Sequence, residues 1–231
     1  MSLPTVREPY RRVARSPLEA GLAEAEARVL EELAAEGEWV KRAVAAATAC
    51  DTAAAEQLSA EHEQLERCHT AVHDRLLSVL ALQAPVAGDL RLAIALLHVN
   101  ERLERIGAQC ANIGTMCTAL PPGVRPSETQ LQCFGKMAEL AQEQLSDART
   151  VFAERDIDGA RRMLEHDRQI NEANRRCFAI AVHANCADER TREVAFMVAM
   201  MARALERIGD NAVDIARQAA FVATGRFAPA A

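Results

Sequence analysis

The sequence predicts an all-α protein, a tandem repeat of two three-helix bundles, and three observations predict it. Half of the 231 residues are hydrophobic but only 3% are aromatic. Ala and Leu carry the apolar load and β-branched residues are sparse, a composition that packs helices more readily than sheets. The prolines fall at 4, 9, 17, 85, 121, 122, 126 and 229, leaving Pro-free stretches from 18 to 84 and from 127 to 228 in which long helices run without an imposed break. Leu103-Glu104-Arg105-Ile106-Gly107 recurs as Leu205-Glu206-Arg207-Ile208-Gly209, five identities in register that mark a duplication.

An N-terminal arm, 1–17, precedes a first bundle over 18–120. Its first helix ends before Cys50-Asp51-Thr52, where an N-cap oxygen starts the second. There Leu65, Val72, Leu76 and Val79 recur at helical spacing and face one core. Ala84-Pro85-Val86-Ala87-Gly88-Asp89 turns the chain into the third helix, with Asp89 in the first turn, where the helix dipole favours an acid. Thr118-Ala119-Leu120-Pro121-Pro122-Gly123 reads as the linker. A second bundle over 126–225 repeats the scheme with helices near 127–153, 158–184 and 188–224, the middle one capped from Asp156-Ile157-Asp158-Gly159.

A net charge of −6 and a pI near 5.6 leave no basic face to neutralise phosphates, so nucleic acid is not an expected partner. The seven cysteines (50, 68, 110, 117, 133, 177 and 186) include no C-x-x-C pair, and they read as reduced core residues. Arg7, Arg11, Arg12 and Arg15 stand among prolines with no apolar stretch behind them, so no secretory leader is expected. The longest apolar run, Val194 to Ala202, is about half of what spans a bilayer, and a cytoplasmic protein follows. Phosphate-binding glycine loops and nucleophile elbows are lacking from the sequence, so an enzyme is not expected.

Two polar stretches could carry chemistry. On the last helix Glu206, Asp210 and Asp214 are spaced i, i+4, i+8, a row of like charges costing about 0.2–0.5 kcal/mol per pair unless a cation offsets it. By spacing alone the plainer reading is a solvated face paired with Arg203, Arg207 and Arg217. On the second helix His62, Glu66, His69 and His73 fall at i, i+4, i+7 and i+11; they read as a polar helix edge, with nitrogen ligation of zinc or iron as the alternative. His98, His166 and His183 are assigned no role. Glu66-Arg67-Cys68-His69 is also one E-x-x-H motif. A ferritin-like di-iron carboxylate oxidase or iron-storage bundle, the second candidate, needs two.

The run Ala204-Leu205-Glu206-Arg207-Ile208-Gly209-Asp210-Asn211-Ala212-Val213-Asp214-Ile215-Ala216 resembles the signature of the PhoU family, and so does the first LERIG. Leu80 to Arg91 is similar to that family's link between second and third helices. The resemblance spans from about Gly37 to Gly225. It implies two three-helix bundles and a negative regulator of the phosphate regulon that couples an ABC phosphate transporter to a sensor histidine kinase, peripheral to the membrane. Self-association is left open. It also implies binding of divalent or trivalent metal ions, such as iron or zinc, through E/D-x-x-x-D motifs, a role that carries over to Glu206 and Asp210 with Asp214 one turn on. In the first motif Glu104 is present, but Ala108 stands where the family has Asp, and Asn112 is neutral; Glu101, one turn before Glu104, is the substitute. On the facing second helix of the second bundle Asp167 remains while Asn171 replaces an acid.

Overall fold

The structure is a computed structural model that describes residues 17–184 and 188–226. Among the described residues six helices follow one another: α1 (Pro17–Ala49), α2 (Thr52–Gln83), α3 (Ala87–Thr118), α4 (Glu128–Glu154), α5 (Ile157–Val182) and α6 (Glu189–Thr224). No strand occurs among the described residues. The all-α architecture of two three-helix bundles is the one expected from sequence. Of the arm 1–17 only Pro17 is described, as the first residue of α1, where a missing N–H costs nothing. The rest of the arm and Cys186 lie outside the described residues.

The helix starts follow the capping chemistry of the sequence. Asp51 accepts a hydrogen bond from the Ala54 amide at 3.0 Å, and Asp188 accepts from Thr191 at 2.8 Å. Ser127 and Gln130 form a reciprocal capping box. Residues in the left-handed region close α2, α4 and α6: Ala84, Arg155 and Gly225. Only Gly225 adopts that conformation without side-chain strain.

Within each half all three helices touch, and the halves join through α1 against α4 and α3 against α6. The two LERIG helices are thus back to back. One continuous apolar core runs through both bundles, including Val29, Leu33, Leu96, Leu103, Phe134, Phe152, Leu205 and Ile208. Polar bonds lace the seam: Arg149 Nε donates to the Leu30 carbonyl at 3.4 Å, Arg91 Nε to the Val222 carbonyl at 3.3 Å, and Arg102 pairs with Asp214 at 3.5 Å.

Cys133 on α4 and Cys177 on α5 are joined as a disulfide with Cα atoms 5.8 Å apart. This corrects the reading of every cysteine as a reduced core thiol. The two lie 44 residues apart in sequence, so helix packing brings them together and no short motif announces it. Cys50, Cys68, Cys110 and Cys117 are free.

Close packing of α3 on α2 is testable at Gly114, where a Cβ would stand 2.9 Å from the Ala55 carbonyl oxygen. A backbone atom cannot swing aside, so Gly114→Ala is expected to lose about 1–3 kcal/mol of stability. Gly135 on α4 has nothing within 4 Å of the same position, and Gly135→Ala is expected to gain up to about 1 kcal/mol from helix propensity. Urea unfolding of the two variants checks the opposite signs.

Candidate functional site

The longest helix, α6, turns its apolar stripe of Leu205, Ile208, Ala212 and Ile215 into the core, and this fixes where its acids go. Glu206 is buried, with 5% exposure, rather than solvated. One of its oxygens takes a hydrogen bond from Arg203, while Oε2 is buried without a partner. Asp214 lies between Arg102 of α3 and Arg217, each at 3.5 Å. The arginine-paired face expected from spacing is therefore real for Arg203 and Arg217, but it is not a solvated one at Glu206.

Asp167 comes from α5 to the same acids. Its Oδ2 accepts from Asn171 at 2.7 Å, and its Oδ1 is buried and unpartnered. The Asp167 carboxyl is raised above its ordinary range by burial first, against the Asn171 bond, with Asp214 adding to the rise. Burial likewise raises Glu206, helped by Asp210 and Asp167 and opposed by Arg203. Asp210 is raised by burial and then by Asp167. Asp167 is thus coupled electrostatically to Glu206, Asp210 and Asp214. Orphaned oxygens on Glu206 and Asp167, amid mutual repulsion, suit a hard or borderline cation. Among the described residues no three His, Cys, Asp or Glu side chains already stand together as one ligand set, so ligation would require side-chain rotation.

Glu101 and Glu104 of α3 are placed elsewhere, facing a cleft of about 390 Å³ between α2 and α3 that His69, His73, His98 and Asn100 also line. Glu101 is paired with Arg105 at 2.5 Å and lies 4.0 Å from His98. Glu104 is exposed, with neutral Ala108 and Asn112 on the following turns. His98, given no role from sequence, belongs to this cleft.

Below the cleft His69, offered by the sequence as an alternative nitrogen ligand, meets Glu36, which the sequence reading did not single out. Glu36 of α1 is 0% exposed, and both its oxygens lack a hydrogen-bond partner. His69 of α2 is 2% exposed, with neither ring nitrogen bonded; its Nε2 stands 3.6 Å from Glu36 Oε1. The polar-edge reading is corrected here, because His69 shares the inward face with Val72 and Leu76. Glu66, its E-x-x-H companion, points outward with a side chain 54% exposed, 3.5 Å from His62. Burial, with Glu32 adding, pushes the Glu36 carboxyl up to about 8. Glu32 is raised to about 7 by burial, opposed by Arg28. Burial and then His62 lower His69 to about 4, against Glu66.

Comparison with known proteins fits this duplicated body. The PhoU domain matches the chain twice, over residues 34–116 and 134–219. A Mycobacterium tuberculosis protein described as phosphate-specific transport system accessory protein PhoU homolog 1 is 30% identical over 190 residues, covering 80% of this chain and 83% of its own. A Caulobacter vibrioides PhoU homolog is 29% identical over 182 residues, 79% of each chain. Among solved structures, PhoU from Pseudomonas aeruginosa superposes with a TM-score of 0.82 at 24% identity over 90% of this chain and 99% of that one. The phosphate transport system regulatory protein PhoU from Streptococcus pneumoniae gives 0.81 at 21% identity over 92% and 99%. Two matched domains, covering both LERIG helices, place this chain in the PhoU family.

Proposed function

We propose that the protein is a cytoplasmic, non-catalytic negative regulator of phosphate uptake that acts by binding an ABC phosphate transporter and a sensor histidine kinase at the membrane. The observation that carries this reading is the double match to the PhoU domain, together with relatives named as accessory proteins of phosphate-specific transport. Two physical features agree with it. No described helix is long and apolar enough to cross a membrane, so contact with a transporter would be peripheral. The α2–α3 turn also presents Leu82 and Val86 at 79% and 72% exposure, apolar side chains that a protein partner would cover.

Asp167, Glu206, Asp210 and Asp214 would hold the cation that this function uses. Bound there, a cation would supply positive charge against carboxylates that repel one another and that burial disfavours as anions. The chain's own contribution is to keep these acids partly buried and to restrain Asp214 through Arg102 of the other bundle. Cation binding in the second half is thereby connected to α3 in the first.

The test is a deletion strain carrying a reporter of phosphate-regulon expression, grown with ample phosphate. Derepressed expression and excess phosphate accumulation, reversed by the intact gene, are expected. Unchanged expression and accumulation, with no second copy in the genome, would overturn the reading.

A further inference from the structure

Glu36 occupies a position where an apolar side chain would be expected. On α1 it continues the buried stripe of Val29, Leu33 and Val40, and a carboxylate there is costly unless something binds it. The duplication supplies a comparison. In the first half the LERIG glycine, Gly107, lies beneath Glu36, whose Oε1 stands 3.2 Å from where a Cβ would be; in the second, Gly209 lies beneath the side-chain oxygen of Gln144. The fold therefore accommodates a neutral amide over this glycine, and packing alone does not require the acid.

The polar atoms around Glu36 are equally unsatisfied. Glu32 Oε2, His62 Nδ1 and both nitrogens of His69 are buried without hydrogen-bond partners. His62 Nδ1 also lies 3.8 Å from the Cβ position above Gly107, so it and Glu36 approach the same point. The 3.6 Å between Glu36 Oε1 and His69 Nε2 is long for a hydrogen bond. It matches the spacing of neighbouring ligand atoms on a four-coordinate ion, roughly 3.3–3.6 Å for bonds of about 2.0–2.2 Å. His69 also lines the acid-edged cleft that carries Glu101 and Glu104, which gives a cation a route from solvent.

We propose that Glu36 and His69 are ligands of a transition-metal site inside the first bundle, with His62 and Glu32 completing it by side-chain rotation. Mixed imidazole and carboxylate donors select a borderline divalent cation such as Zn²⁺ over Mg²⁺ or Ca²⁺. The site is separate from the carboxylates of α5 and α6 and independent of the regulatory reading above.

Co²⁺ is the probe, because four-coordinate cobalt absorbs strongly in the visible and reports its ligands. Full-length protein carrying Glu206→Gln and Asp210→Asn, which silences the second half, is stripped with chelator and titrated. One equivalent of Co²⁺ is expected to bind with a four-coordinate spectrum, to be displaced by Zn²⁺ and to resist excess Mg²⁺. Adding Glu36→Gln or His69→Gln is expected to weaken Co²⁺ binding by more than the ~10–100-fold typical of outer-sphere changes. If His69→Gln does not fold, Glu36→Gln decides, since glutamine is what the second half carries at the matching place. Equal Co²⁺ affinity with and without Glu36→Gln overturns the proposal. So does a signal lost only in His73→Ala/His98→Ala, which would put the ion at the cleft mouth.

Discussion

In metal-free protein, Glu36→Gln is expected to be more stable than wild type at pH 8, while the two have similar stability near pH 4. Glu36 is fully buried with its carboxyl pushed up to about 8 from an ordinary 4.5. The folded protein therefore holds a proton on it that the unfolded chain releases. The stability linked to that proton is complete below the unfolded value and is lost as pH rises through the folded one. Glutamine keeps the shape of the neutral acid and has nothing to ionise, so the variant escapes the loss. At about 1.4 kcal/mol per pH unit, a gain of about 2–4 kcal/mol is expected at pH 8 after allowance for relaxation and water entry. The other groups facing this spot, Glu32 on α1 and His62 and His69 on α2, are common to both proteins. His69, held near 4, destabilises both alike as pH falls from about 6.5 through that value, because its neutral form is the one the fold accepts. Chemical denaturation from pH 4 to pH 9 checks the difference. A gap that does not change with pH would show that Glu36 does not titrate in a buried state. A less stable variant at pH 8 would show that the Glu36 charge is used in a native pair with His69.

How much of this was legible in the sequence differs from residue to residue. The helices were, since their starts and breaks rest on local chemistry: Asp51 and Asp156 cap, Pro85 and Pro121-Pro122 interrupt, and apolar spacing names the inward faces. Leu65, Val72, Leu76 and Val79 are all at the core or packed against it. The same spacing already included His69, three residues before Val72, and Glu36, midway between Leu33 and Val40. Reading those polar residues by type rather than by phase placed His69 on a solvated edge and passed over Glu36. Whether an acid on an apolar stripe is buried depends on the third helix beneath it, here Gly107, and one helix's pattern cannot supply that. The pairing of Asp167 with the α6 acids, the bridge from Arg102 to Asp214 and the Cys133–Cys177 bond are likewise products of packing between helices far apart in sequence. Damage to the first motif at Ala108 and Asn112 was visible at once; the separate placement of Glu101 and Glu104 at the cleft was not.

The largest metal-dependent effect is expected from Glu206→Gln with Asp210→Asn. Wild-type protein given Mn²⁺ at about 100 times its dissociation constant should gain about 2.7 kcal/mol by mass action. For a protein of this length that is a rise in melting temperature of roughly 5–10 °C, and the double variant should lose most of it. Mn²⁺ is chosen because oxygen-rich sets hold it while sites built on imidazole prefer softer ions, so the Glu36 cluster contributes little to the readout. Amides are chosen over alanine because Glu206 is 5% exposed, and removing its volume would open a cavity in α6 whatever the ion does. Without metal the variant should be at least as stable as wild type, because burial and mutual repulsion raise both carboxyls; Arg203 and Arg207 oppose that rise without cancelling it. These two outcomes together distinguish ligation from simple packing. Loss of a packing contact would lower the metal-free melt, whereas loss of ligands leaves it intact and removes only the response to Mn²⁺. An equal Mn²⁺-induced shift in both proteins would mean that these acids are an arginine-paired seam between the bundles, and that any cation the protein uses is held elsewhere.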